Sequence, residues 1–329
     1  MDASSQTLPL PPWRTNPQGR PRRIGVELEM SGLTLDALAR VAADYLDTEI
    51  SDKGRYERTL RGDAAGDWTV ELDFHLLKNM GQEKRAPGDL MQSAEDMLAW
   101  VAESLVPLEI VSPPLPMERL GEVEGLIACL RDAGAKGTGD HPVNAFGMQF
   151  NPEIPSEDPA TLTAYLRAFL CLYDWLLRRA DIDLTRRITS YIDPFPINYV
   201  RLLTAADYAP DVDALIDDYL YYNPTRNRAL DLLPLFSHLD PERVRRITDD
   251  PLIKPRPTFH YRLPDCRIDR PDWGLYLAWG DWLQVERLAA DPERLAGCCS
   301  DFHDFISRPA IERWLGDWAD EVEGRWLDL

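Results

Sequence analysis

Glu27 and Glu29, set two apart in RRIGVELEM (Arg22 to Met30), are the residues whose type and spacing speak first of chemistry. Side chains two apart in an extended chain share a face and lie roughly 7 Å from each other. Two carboxylates at that separation can hold one divalent cation or two neighbouring ones. Mg²⁺ is the natural occupant, because it takes one or two carboxylates together with water and phosphate oxygens. Four further segments repeat the alternation. In WTVELDFHL, Thr69, Glu71, Asp73 and His75 oppose Trp68, Val70, Leu72 and Phe74. In LEIVS, Glu109 opposes Leu108 and Ile110. In FGMQFNPE, Gly147, Gln149, Asn151 and Glu153 oppose Phe146, Met148 and Phe150. In TFHYRL, Thr258, His260 and Arg262 oppose Phe259, Tyr261 and Leu263.

Period-two alternation of this kind requires strands, with the apolar set on a core and the polar set on the opposite face. The expected fold is α+β: a mainly antiparallel sheet of about six strands, one face polar and the other covered by helices. RYERTL and DWTVELD flank RGDAAG, a hairpin pattern. Helical spacing of apolar residues predicts helices after Thr34 (Leu38, Val41, Ala42, Tyr45), over 89–106, over Leu120–Leu130 closed by Gly134, and from Asp158 to Ala180. A last helix carries Ile311, Trp314, Leu315, Trp318 and Val322 on one side, a stripe that reads as core or docking face. Residues 1–20, rich in Pro, Ser and Asn, read as a flexible arm. A solvated antiparallel sheet also shows a polar face. Two features favour chemistry: Gly25 stands on that face just before the carboxylates, and the face is poor in Lys.

The chain has 329 residues, 44% hydrophobic and 28% charged, a globular composition. Its formal net charge of −20 repels phosphate backbones and anionic membranes, so neither nucleic acid nor membrane is an expected partner. The five cysteines match no zinc spacing and are expected as reduced thiols. No secretory h-region or spanning apolar run is visible, which leads to the expectation of a soluble, cytoplasmic protein. GAKGTGD (134–140) lacks the spacing and the Lys-Ser/Thr ending of a P-loop and reads as a glycine-rich turn. Ser112, before two prolines, has none of the surroundings of a hydrolase nucleophile.

The ordered set GVELEM, DWTVELD, LEIVSPPL, LRDAGA and VNAFGMQFN resembles the amidoligase family, which groups with glutamine synthetase and glutamate–cysteine ligase among ATP-dependent carboxylate–amine ligases. The resemblance covers roughly Arg22 to Asn151 and resumes at Pro255 to Arg262. It implies a glutamine-synthetase-like catalytic domain over 21–270, with a helical insertion at about 156–250 and a C-terminal helical segment, 271–329, packed on the same domain. It implies ATP and Mg²⁺ as cofactors, with small-molecule or peptide carboxylates and amines as substrates. Glu27 and Glu29 would then bind Mg²⁺ and the nucleotide phosphates, Glu109 would be a further metal ligand, and Asp73 would face the amine or the metal. Asn151 falls on the nucleotide side. Gln149 stands where the family usually has His, and His260 where T-x-E-x-R has Glu; both fall on the third metal position. Arg262 matches the family pattern and would neutralise phosphoryl charge, and Arg256, beside the same strand, is the second candidate for that role. The two departures keep a second class of reading open, a catalytically reduced member that binds a nucleotide, peptide or protein partner.

Overall fold

The computed structural model describes residues 7–52, 54–72, 107–138, 146–181, 192–309 and 316–327. A nine-stranded sheet forms the centre. Its strands are β1 (Arg23–Met30), β2 (Glu49–Asp52), β3 (Glu57–Arg61), β4 (Trp68–Leu72), β5 (Leu108–Val111), β6 (Leu115–Pro116), β7 (Met148–Pro152), β8 (Leu230–Asp231) and β9 (His260–Tyr261). They run in the order β2-β3-β4-β5-β1-β7-β9-β8, with β6 also on β1, and every pairing is antiparallel. The sheet is therefore larger than the six strands expected. The additions, β2, β6 and β8, are four residues or fewer. Runs that short carry no readable alternation and become strands only because a neighbour offers its edge.

The expected hairpin is present as β3 and β4, in register Glu57↔Glu71 and Thr59↔Thr69. LEIVSPPLP divides into β5 and β6. Ser112 sits at that division, and its hydroxyl oxygen accepts the Val26 N–H at 2.8 Å. The serine thus completes a buried backbone bond rather than presenting a nucleophile.

Ten α-helices are found among the described residues. Those that position the site are α1 (Leu35–Leu46), α2 (Leu120–Asp132), α3 (Pro159–Ala180), α8 (Leu275–Ala289), α9 (Pro292–Ser307) and α10 (Trp318–Arg325). Between α3 and α8 lie α4 (Ile197–Thr204), α5 (Val212–Tyr222), α6 (Leu233–Leu239) and α7 (Pro241–Arg245). Thr34 caps α1 by accepting the Ala37 N–H, and Asp158 caps α3 through Thr161. Helix α2 closes at Gly134, whose φ of +101° is open to glycine at little cost. The predicted helix over 89–106 lies outside the described residues, as do Ile311, Trp314 and Leu315; Trp318 and Val322 are buried on α10.

The helices cover the apolar face. Leu38 and Ala42 of α1 are fully buried, and Arg58 of β3 reaches Asp36 at the start of α1 at 2.9 Å. Farther along, Tyr165 of α3 stacks on Phe259 with ring centroids 4.5 Å apart, and Trp279 of α8 meets Phe150 edge-on at 6.1 Å. A buried ion pair fastens this layer to β1: Arg22 reaches both carboxylate oxygens of Glu286 at 2.8 and 3.0 Å. Tyr165 and Trp282 also donate to Glu286, so each oxygen of the buried carboxylate is shared by two donors. In the N-terminal segment, Leu8 is buried, and Trp279 Nε1–H donates to the Pro9 carbonyl at 2.8 Å. Apolar Leu8 and Leu10 dock on the helical layer.

Candidate functional site

The polar face is assembled by register. Glu29 lies opposite Glu109, Glu109 opposite Glu71, and Glu71 opposite Glu57. Four glutamates therefore form one transverse row over β1, β5, β4 and β3, spanning about 14 Å at ordinary strand spacing. One step along, Glu27 lies opposite Gln149, and Gly25 opposite Asn151. Glu57 carried no signal of its own in the sequence; its place follows from the hairpin register alone.

Two parallel hydrogen-bond chains hold the β1 carboxylates. In the first, Arg256 donates to Asn151 Oδ1 through Nη2 and Nε at 2.7 and 3.1 Å, and Asn151 Nδ2 donates to Glu27 Oε1 at 2.7 Å. In the second, Gln149 Nε2 donates to Glu29 Oε1 at 2.8 Å, and Gln149 Oε1 lies 2.7 Å from His260 Nε2. The Gln149 amide must turn its NH₂ to the carboxylate, so its oxygen faces His260 and Nε2 carries the proton there. His260 Nδ1 lies 3.4 Å from Asp231 Oδ2, and these two residues are register partners on β9 and β8. Glu29 Oε2 accepts the Gly147 N–H at 2.7 Å. Each chain uses an amide as an adaptor, accepting from a basic group and donating to an acidic one. A carboxylate at 151 would lack that pairing of functions, since it only accepts.

Burial pushes the Glu27 carboxyl up, yet it is held below its usual range by His260 and Arg256, with hydrogen bonds from Asn151 and Glu109 assisting. Arg256 is the permanent cation of the pair, since His260 contributes only when it bears a second proton. Burial pushes the His260 imidazole below its usual value, against the pull of Asp231 and Glu27 and with Arg262 assisting.

The structure thus brings together Glu27, Glu29, Glu109, Gln149, Asn151, Arg256 and His260. It engages Gln149 at both ends of its amide, through Glu29 and His260, and sets Asp231 at the far side of the His260 ring. Arg262 shares the face of His260, and its Nη1 donates to the Arg226 carbonyl. Asp73 lies outside the described residues, as do His75 and His141. Among the described residues, no three His, Cys, Asp or Glu side chains are grouped so as to hold a metal ion. Asp231, fully buried, was not visible as a site residue: it reads as one acid in an apolar run, and only the β8–β9 register puts it behind His260.

Other sequence candidates have structural work. In the glycine-rich turn, Gly137 N–H goes to Asp269 Oδ1 at 3.0 Å and Thr138 N–H to the Cys266 carbonyl at 2.7 Å, so those amides are not presented to a phosphate. Arg228 donates to Asn223 Oδ1 and the Pro194 carbonyl and lies over Phe195. RRITSY (186–191) is outside the described residues. A Cβ on Gly25 would meet Asn151 Cβ at 3.4 Å, an ordinary contact, so packing does not demand that glycine.

No helix among the described residues is long and apolar enough to cross a membrane. No curated protein and no solved structure matches the sequence. A family model described as "Putative amidoligase enzyme" matches residues 20–284, which include β1 with its two glutamates, both amide adaptors, Asp231 and the β9 histidine. With that match running over most of its length, the chain belongs to the amidoligase family.

Proposed function

We propose that this amidoligase is an ATP- and Mg²⁺-dependent carboxylate–amine ligase with a glutamine-synthetase-like catalytic sheet. A substrate carboxylate would attack the γ-phosphoryl of ATP, and an amine would then displace phosphate from the acyl phosphate. The observation that carries this reading is the register of β1 on β5, which sets Glu29 directly opposite Glu109 with Glu27 on the same face. Carboxyls gathered from adjacent strands in this way suit a hard cation. When bound, Mg²⁺ supplies charge neutralisation at phosphate oxygens. One or two carboxylates suffice for that ion, so the lack of a three-acid cluster among the described residues is compatible with it.

The chain's own residues supply positioning. Asn151 and Gln149 fix the rotamers of Glu27 and Glu29, leaving no conformational search at the moment of binding. Arg256, whose Nε and Nη2 hold Asn151 while Nη1 donates to the Lys254 carbonyl, and Arg262 beside His260 are assigned to meet negative charge on a phosphoryl group. Asp73, next in the chain after β4, is assigned to the amine or the metal. His260 is assigned a supporting role, holding Gln149 rather than ligating metal.

A binding-only member of the family is the second reading, and the mutual pairing of Gln149 and His260 favours it. The two separate in one experiment. The protein is incubated with ATP, Mg²⁺ and pools of amino acids or short peptides, and ADP and phosphate are followed. Amine-dependent release, abolished in Glu27→Gln, is the expected result. Absence of turnover in every pool, with Mg·ATP affinity unchanged in Glu27→Gln, would sink the ligase.

A further inference from the structure

Helices α3 and α9 meet at sulfur. Cys171 Sγ and Cys299 Sγ lie 3.7 Å apart, both residues are buried, and Cys298 adjoins them on α9. Cys171 is fully enclosed and Cys299 is 6% exposed, so a small reagent reaches Cys299 first. The hydrogen bond from Cys171 favours a thiolate at Cys299, against burial, and Arg167, one turn before Cys171 on α3, assists. The Trp318 indole of α10 donates to the Cys171 carbonyl at 2.7 Å, so all three helices converge on this point. Helices α9 and α10 lie beyond the family-matched residues 20–284, whereas α3 lies within them.

We propose that Cys171 and Cys299 form an oxidation-sensitive pair that a hydroperoxide converts to a disulfide, tying the C-terminal helices covalently to the family core. The Cys299 thiolate attacks the peroxide oxygen, the O–O bond breaks, and Cys299 becomes a sulfenic acid with release of hydroxide. The Cys171 sulfur then attacks the Cys299 sulfur, displacing water as its own proton leaves. Two thiols are oxidised and one peroxide is reduced. Closing the contact to a bonded length of about 2.05 Å asks the sulfurs to approach by less than their present separation, which side-chain rotation and a small helix shift supply. Cys171 acts as the resolving thiol and keeps Cys299 from over-oxidation.

The test needs no substrate. Full-length protein is treated with hydrogen peroxide, quenched with an alkylating agent and mapped by peptide mass spectrometry. A Cys171–Cys299 linked peptide, reversible by dithiothreitol and accompanied by a raised melting temperature, is the expected result. Cys298→Ser should form the same link, whereas Cys171→Ser should leave Cys299 as sulfinic acid. A wild-type map that shows sulfinic or sulfonic acid at Cys299 without the link, or a link made by Cys298 instead, would overturn the proposal. The wild-type map decides the matter even if Cys171→Ser fails to fold.

Discussion

Asn151→Leu tests the logic of the amide adaptors most sharply. Leucine has the branching and heavy-atom count of asparagine and removes both polar ends at once. Glu27 loses its 2.7 Å donor, and Arg256 loses the acceptor it grips at 2.7 and 3.1 Å. Hydrogen bonds to charged groups are each worth about 1.5–3 kcal/mol. The two links share one residue, and Arg256 is already near enough to Glu27 to attract it, so the losses are not additive. A stability loss of about 2–3 kcal/mol is expected for the nucleotide-free protein in chemical denaturation. The effect on ligand binding is separate. Residues that orient metal-binding carboxylates contribute about 10–100-fold in affinity, or roughly 1.4–2.7 kcal/mol. Isothermal titration with Mg·ATP should therefore show weakening in that range, at a temperature where the variant is fully folded. A folded Asn151→Leu protein with Mg·ATP affinity within about twofold of wild type would refute the adaptor argument. It would mean that Glu27 needs no orientation, or does not meet the ligand.

Glu109→Gln should act with opposite signs: it removes one carboxyl of the facing Glu29–Glu109 pair, leaving ligand-free stability equal or about 0.5–1 kcal/mol higher in urea melts, while Mg·ATP affinity falls at least about tenfold. A parallel fall in both would assign Glu109 to the scaffold. Glu286→Gln leaves the fully buried Arg22 guanidinium unbalanced, and denaturant melts should show a loss of about 3–5 kcal/mol. The Asp63 carboxyl is drawn down to about 2 chiefly by its hydrogen bonds from Arg119, against burial and with help from Ala65 N–H and Trp68. Its folded pKa is below its unfolded value of 3.8, so its contribution is fully present above that value and is lost as pH falls toward about 2. Arg119→Leu should flatten the stability profile over that acid window and leave its shape near neutrality unchanged, as read from melting temperature against pH.

The strands that carry the site were readable because alternation is a local property. Val26 and Leu28 are buried and Glu27 and Glu29 are not forced to follow them, as the period of two requires. The hairpin, the caps at Thr34 and Asp158 and the glycine stop at Gly134 were readable for the same reason: each depends on a few neighbouring residues. The short strands β2, β6 and β8 were not, and neither was the docking of Leu8 and Leu10. Those depend on what the rest of the fold leaves open.

The division is sharpest at the site itself. The sequence alone determined which residues stand on the polar face, because a side chain's face follows from its position along one strand. It also determined the family, because the ordered motifs survive as text. Tertiary structure decided who touches whom. Strand order put Glu109 against Glu29, the β7–β9 approach put His260 against Gln149, and the two-residue strand β8 slid Asp231 behind both. Gln149 and His260 looked like lost metal ligands when taken one strand at a time. Across strands they are donor and acceptor to each other, since hydrogen-bond partners are set by register between segments 111 residues apart and no local pattern encodes that.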